Sequence, residues 1–182
     1  MVSVVSSCKN ISMDFIVKSV SFLGRKFCTT TRSNDKFLIT GDFVNGIFAR
    51  DIGSVARLSH SFTQEDVNRF ADLNGDNNPL HIDPKFATGT IFGGTIVHGI
   101  FVTSLFSTLF GRSIPGSIYV SQNVSFKRPV HVGTEVTAFI EVMAASMHKK
   151  GQILTCKTYC KLKDGAIAVD GEAKVLVPHP GQ

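Results

Sequence analysis

Apolar and polar residues alternate with a period of two along the last third of the chain, in four runs separated by turn residues. This period is typical of strands that bury one face. Asp164 and Gly165 lie between the last two runs and favour a tight hairpin. Consecutive strands joined by short turns predict an antiparallel sheet. The four runs are 120–126, 136–142, 154–162 and 167–177.

The middle of the chain has a helical period instead. Thr63 followed by polar and acidic residues is typical of a helix start, and apolar residues follow at helical spacing until residues 74–75. From Thr95 to Gly111 the chain is apolar on nearly every side, which indicates a buried helix. We expect this helix to pack on the concave face of the sheet, so the predicted fold class is α+β.

Charge sets residues 1–34 apart from the rest of the chain. The 182 residues include 19 Lys and Arg against 14 Asp and Glu, a formal net charge of +5. Residues 1–34 contain five of these bases and a single acid, Asp14, and are rich in Ser and Thr. This composition is typical of an amphipathic organelle transit peptide, although a tail without an address is the alternative. We therefore expect one folded domain over residues 35–182.

Several function classes are disfavoured by composition. Residues 35–182 are nearly neutral, which is not typical of a nucleic-acid-binding face. No stretch of about 18 consecutive apolar residues occurs, so we expect no membrane span. Cys156 and Cys160 are four positions apart in a predicted strand, without a second ligand pair at metal-binding spacing. We expect them to be reduced core residues, and we expect neither a metal nor a cofactor.

Two ionisable residues stand out by their context. Asp76 and His81 are joined by a short turn that contains Pro79, so their side chains can approach a common point. A carboxylate beside an imidazole is suited to general acid and base catalysis. An Asp in such a turn and a single His are also common as structural residues. The residues by themselves leave both interpretations open.

A glycine-rich segment, residues 93–99, leads into the predicted buried helix. Backbone N–H groups at a helix N-terminus lack intrahelical partners, and Gly99 would let a substrate carbonyl approach them. Such donors stabilise an oxyanion or an enolate. The alternative is that Gly93 and Gly94 form a flexible turn while Gly99 permits close helix packing.

Together these two segments resemble the MaoC-like (R)-specific enoyl thioester hydratase and dehydratase family. The resemblance is carried by residues 70–84, with the core Gly-Asp-Asn-Asn-Pro-Leu-His, and by residues 92–99, Phe-Gly-Gly-Thr-Ile-Val-His-Gly. It covers nearly all of residues 58–178. The chain departs from the family at Asn74, where a small residue is usual, and we expect a local adjustment of the loop there.

The resemblance implies a hotdog fold, in which an antiparallel sheet wraps around a long central helix, and a homodimer with its substrate tunnel near the subunit interface. It also implies catalysis by Asp76 and His81, with the backbone N–H of Gly99 as the oxyanion donor. We further expect four neighbouring residues to contact the substrate, although His98 is also suited to a packed position at the helix start. These are Asn78, Gly94, Val97 and His98.

The reaction implied is reversible dehydration of (R)-3-hydroxyacyl thioesters to trans-2-enoyl thioesters. With the basic leader, the resemblance favours substrates on acyl carrier protein during fatty-acid synthesis in the mitochondrial matrix. The second enzyme that fits the resemblance is an (R)-specific enoyl-CoA hydratase of β-oxidation. A hotdog thioesterase and a non-catalytic acyl-binding subunit would share the same scaffold.

Overall fold

The computed structural model describes residues 15–22, 25–32, 37–44 and 47–179. Within these ranges the chain forms nine strands and four helices. In chain order they are β1 (Phe15–Phe22), β2 (Arg25–Arg32), β3 (Ile39–Val44), β4 (Ile47–Phe48), β5 (Val55–Ser61), α1 (Gln64–Asn74), α2 (Pro79–Ile82), α3 (Pro84–Thr88), α4 (Gly99–Ser113), β6 (Ile118–Phe126), β7 (Glu135–His148), β8 (Gly151–Leu162) and β9 (Ile167–Pro178).

The strands form one antiparallel sheet in the order β1-β2-β3-β5-β7-β8-β9-β6, with β4 paired to β3. The four alternating runs of the sequence correspond to β6, β7, β8 and β9, which confirms the predicted sheet. The hairpin between β8 and β9 closes at Gly165, whose φ of +84° lies in the left-handed region that glycine favours. Strand β6 lies at one end of the sheet and pairs with β9.

Helix α4 packs against the sheet, which confirms the predicted α+β fold. Its buried face is apolar apart from Ser113, whereas Ile100, Ser104, Ser107 and Gly111 are exposed, so the helix is buried on one side and not all round as its composition had indicated. That face and the facing strands share one hydrophobic cluster, in which Phe106, Leu109 and Ile140 are fully buried. The buried residues of α4 are Val102, Leu105, Phe106, Leu109, Phe110 and Ser113.

The predicted bounds of this helix, Thr95 to Gly111, are wrong at both ends. Residues before Gly99 are extended, because Ile96 forms an antiparallel bridge with His131 and the Val97 N–H donates to the Val130 carbonyl at 2.8 Å. The helix also continues through Gly111, which is exposed and meets nothing within 4 Å at its Cβ position. Sequence periodicity alone cannot detect such a tertiary bridge.

The other helices follow from local signals. Thr63 and Asp66 form a reciprocal capping box at the start of α1, and Gly75 ends it with a φ of +81°. Helices α2 and α3 were not predicted from the sequence. Each begins with a proline after a capping side chain, Asn78 for α2 and Asp83 for α3. The result is a compact helical excursion between α1 and α4.

The predicted leader, residues 1–34, is described only in part. Residues 15–22 and 25–32 form paired antiparallel strands, whereas an amphipathic transit peptide would form a helix. Strand β2 in turn pairs with β3, and isolated short helices are only marginally stable in water because helix nucleation is costly. Residues 1–14, 23–24 and 33–34 lie outside the described residues, and the transit peptide stays a prediction. Among the described helices, none is long and apolar enough to cross a membrane.

The two described cysteines should be protected from thiol reagents. Burial raises the pKa of Cys156 and of Cys160 from 9.0 to about 12 in each case. Since the thiolate is the nucleophile, both should react with an aromatic disulfide at pH 8 only after urea unfolding, in a Cys8→Ser/Cys28→Ser background. In the unfolded chain the same thiols have a pKa near 9. Because the folded pKa is higher, the two buried thiols stabilise the fold fully below pH 9, and this stabilisation is lost as the pH rises towards 12. Rapid reaction of the folded protein would contradict this assignment.

Candidate active site

The loop after α1 positions Asp76 through contacts between near neighbours. The Asp76 N–H donates to Asn74 Oδ1 at 2.9 Å, and the Asn78 N–H donates to Asp76 Oδ1 at 3.3 Å. Asn74 therefore stabilises the loop at the position where a small residue was expected. About half of the Asp76 side chain is exposed, at 52%. Its second carboxylate oxygen remains available to a ligand.

His81 lies on α2, and its ring orientation is fixed by a main-chain acceptor. Nδ1 of His81 is 2.7 Å from the carbonyl oxygen of Ile96. A carbonyl can only accept, so Nδ1 carries the hydrogen and the neutral ring presents its lone pair at Nε2. This tautomer is the one required for a base that acts through Nε2.

Gln64 is a site residue that sequence reasoning missed. Its Nε2 donates to the His81 carbonyl at 2.8 Å, while its Oε1 accepts from the Thr95 hydroxyl at 2.8 Å. One amide side chain thus joins α1, α2 and the segment before α4. The sequence offered no signal beyond a polar residue at a helix start.

His98 brings Asp76 and His81 together from a buried position. Its side chain is 3% exposed, and its Nε2 lies 3.0 Å from the Asp76 carbonyl oxygen. The His98 ring also stacks on the His81 ring, with centroids 3.8 Å apart and planes inclined by 29°. One donor atom from each of the three residues lies within 4.8 Å of the other two.

This trio has the residue types of a metal site, but its ring geometry does not suit one. A zinc ion lies in the plane of each coordinating imidazole, about 2.0–2.1 Å from the nitrogen. Two rings stacked at 3.8 Å direct their lone pairs along separate planes, so one ion cannot meet both without ring rotation. The arrangement instead suits a water or a substrate oxygen between Asp76 and His81.

The start of α4 adjoins this pair. No side chain caps α4, so the first N–H groups of the helix, including that of Gly99, point outward without an intrahelical acceptor. A Cβ atom on Gly99 would lie 2.7 Å from Cε1 of Phe126. A larger residue at position 99 would therefore require the Phe126 ring or the helix start to move.

The other predicted substrate contacts have clear structural positions. Asn78 Oδ1 accepts from the Leu80 N–H at 3.0 Å and caps α2. Gly94 is half-buried, with the His131 ring 4.0 Å from its Cβ position. Val97 is 4% exposed within the core. Each of these residues thus has a role in local packing or hydrogen bonding. Their contact with the substrate stays a prediction.

The chain matches a protein family over the part that contains this site. The sequence profile described as "MaoC like domain" matches residues 50–163. This range includes α1, the loop with Asp76, α2 with His81, and α4.

Curated relatives align over the same region. The (R)-specific enoyl-CoA hydratase of Aeromonas caviae is 48% identical over 130 residues, which cover 70% of this chain and 96% of that protein. The mitochondrial 3-hydroxyacyl-[acyl-carrier-protein] dehydratase FERN of Solanum lycopersicum is 37% identical over 127 residues, covering 70% of this chain and 77% of that protein.

A solved structure shares the architecture. The (R)-hydratase from A. caviae involved in PHA biosynthesis aligns with a TM-score of 0.66 and 49% identity, covering 70% of this chain and 97% of that chain. This similarity, with the antiparallel sheet and packed helix, confirms the predicted hotdog fold.

Proposed function

The chain belongs to the MaoC-like domain family, and we propose that it is a hydro-lyase that reversibly dehydrates (R)-3-hydroxyacyl thioesters to trans-2-enoyl thioesters. The observation that carries the proposal is the placement of the Asp76 carboxylate beside a His81 ring whose Nδ1 is already bound to Ile96. The relatives named as hydratases and dehydratases act on the same carbon–oxygen bond in opposite directions.

In hydration, Asp76 and His81 hold one water between them. The pair removes a proton from this water as its oxygen bonds to the β carbon and donates that proton to the α carbon, so the pair returns to its starting protonation state. In dehydration the pair removes the α proton and protonates the leaving hydroxyl, so that water departs. His81 is suited to both directions because an imidazole can accept a proton in one direction and donate it in the other.

Negative charge develops on the thioester oxygen as the α carbon gains or loses its proton. We assign the Gly99 N–H as the donor to this oxygen, because the start of α4 is uncapped and adjoins His98. A donor fixed before the reaction stabilises developing charge without reorganisation.

The stereochemistry and the acyl carrier are tested by kinetics on matched substrates. We expect dehydration of (R)-3-hydroxybutyryl thioesters, measured as a rise in enoyl absorbance, and no turnover of the (S) isomers.

We propose acyl carrier protein as the carrier, supported by the mitochondrial plant dehydratases. The 48% identity to the bacterial enoyl-CoA hydratase favours CoA as the second candidate. A clear preference for CoA in kcat/KM would exclude our first choice.

The mitochondrial matrix is the proposed location. Support comes from the basic, acid-poor residues 1–34 and from the mitochondrial relatives. A fusion of residues 1–34 to a fluorescent protein should be imported, whereas Arg25→Gln/Lys26→Gln/Arg32→Gln should reduce import because transit peptides depend on basic residues. Diffuse fluorescence of the unmodified fusion would contradict this location.

A homodimer is the proposed assembly. Strand β6 is a sheet edge with exposed apolar side chains, including Ile118 at 53% and Val120 at 54% exposure. An exposed apolar edge strand favours pairing with another chain. Light scattering should give twice the chain mass of 19.7 kDa. Val120→Lys should shift the protein towards monomer, while Ile52→Lys, at an exposed turn residue, should not. A monomeric wild type would contradict the dimer.

A further inference from the structure

We propose that His98 is a positioning residue, whose Nε2–H holds the Asp76 carbonyl and thereby keeps the Asp76 carboxylate beside the His81 imidazole. The inference rests on the proposed function, since the spacing of the Asp76 and His81 side chains affects the reaction only if the two share a reacting water. It assigns to His98 a role through Asp76, in place of the substrate contact predicted from the sequence.

The Asp76 loop is otherwise held only by its own neighbours. Within the described chain, the hydrogen bonds of residues 75–78 run to positions at most four residues away, with one exception. The exception is the 3.0 Å contact from His98 Nε2 to the Asp76 carbonyl, which spans 22 positions. This hydrogen bond is therefore the tether between the loop and the start of α4.

His81 is tethered to the same segment by a different route. Its Nδ1 donates to the Ile96 carbonyl, two residues before His98. Both members of the catalytic pair are thus held by residues 96–98, which the Val97 N–H anchors to Val130 at 2.8 Å. A shift of the Asp76 loop relative to this segment would change the spacing of the pair directly.

The surroundings of His98 select the tautomer that this role requires. Nδ1 is buried and has no hydrogen-bond partner among the described residues, so a proton there would lack an acceptor. The ring stacks on His81 and lies edge-on to the Phe70 ring, with their centroids 5.2 Å apart. The charged or titratable groups that face it are His81 and the Asp76 carboxylate, 3.9 Å from Nε2. The hydrogen accordingly lies on Nε2 and is donated to the Asp76 carbonyl.

Two variants of the full chain separate the hydrogen bond from the packing. His98→Gln keeps an N–H donor near the position of Nε2 but removes the ring, whereas His98→Phe keeps a ring against His81 but removes the donor. We expect His98→Phe to lower kcat about 100-fold with KM within about threefold, since a misplacement near 1 Å can cost that much. His98→Gln should retain kcat within about fivefold.

His131→Phe is the matched control. His131 Nε2 makes the same type of contact, 2.8 Å from the Phe92 carbonyl, but does not touch Asp76 or His81. Its removal should lower Tm while leaving kcat within about threefold. Equal activity of both His98 variants and wild type would overturn the inference, as would greater loss in His98→Gln than in His98→Phe. An inactive wild type would instead refute the proposed function.

A measurement on the wild type covers the case in which the His98 variants do not fold. Histidine ¹⁵N shifts and long-range ¹⁵N–¹H couplings distinguish the two neutral tautomers. At pH 8 we expect the His98 ring to be the Nε2–H tautomer and the His81 ring to be the Nδ1–H tautomer. A hydrogen on Nδ1 of His98 would remove the proposed donor and overturn the inference.

Discussion

Asp76→Asn should lower kcat for hydration of a short trans-2-enoyl thioester by roughly 10²- to 10⁴-fold, the usual contribution of a positioned general acid or base. Asparagine has the same shape and keeps the Oδ1 acceptor for the Asn78 N–H, so the loop should remain folded. The amide cannot accept a proton from water, and KM should change little. Steady-state rates from enoyl absorbance, with Tm recorded in parallel, measure the effect.

Asp72→Asn is the control for this substitution. Asp72 is an exposed residue in the last turn of α1, four positions before Asp76. The Asp72→Asn variant should retain wild-type kcat and Tm. His81→Gln should lose activity to the same degree as Asp76→Asn, and the double variant should lose little more because the two residues act as a unit. Full activity in Asp76→Asn would assign the loop a purely structural role.

Gly99→Ala should reduce both stability and activity. Its Cβ would lie 2.7 Å from Cε1 and 3.0 Å from Cδ1 and Cζ of Phe126, so the ring or the helix start must move. Overpacking of this kind costs roughly 1–3 kcal/mol in the free energy of unfolding. We expect kcat to fall roughly 10- to 100-fold, less than the ~10²–10³ of removing an oxyanion donor outright.

Gly111→Ala provides the matched control within the same helix. Nothing lies within 4 Å of its Cβ position, so the change should be neutral or stabilise the protein by up to ~1 kcal/mol. Phe126→Leu in the Gly99→Ala background should make room and recover stability. If Gly99→Ala keeps full kcat while Tm falls, the helix start is a packing site and the oxyanion donor lies elsewhere.

The sheet was predictable because its signal is local. Alternation along β7 and β8 reflects one buried and one more exposed side, and the Asp164–Gly165 turn favours the hairpin between β8 and β9. Strand β6 alternates in sequence as well, although none of its residues is buried. The capping box at Thr63 is likewise contained within four residues. The start of α4 was misplaced because the bridge between Ile96 and His131 joins residues 35 positions apart.

The catalytic candidates were predictable by type, but not by geometry. Asp76 and His81 stand in a turn that brings them together, and the family resemblance supplied their roles. The tautomer of His81 depends on the Ile96 carbonyl, a main-chain group that no residue identity encodes. Gln64 and His98 act through main-chain carbonyls as well. Contacts of side chains to a distant backbone leave no periodic or compositional pattern in a single sequence.

The most direct test of the central claim follows wild-type protein with trans-2-butenoyl-CoA by two signals at once. The enoyl absorbance should fall to an equilibrium value while free thiol stays at its initial level, because water adds across the double bond and the thioester remains intact. A parallel reaction started from (R)-3-hydroxybutyryl-CoA should gain absorbance until it reaches the same ratio of enoyl to hydroxyacyl thioester. Thiol release in step with the absorbance change, or no change in absorbance, would contradict the account.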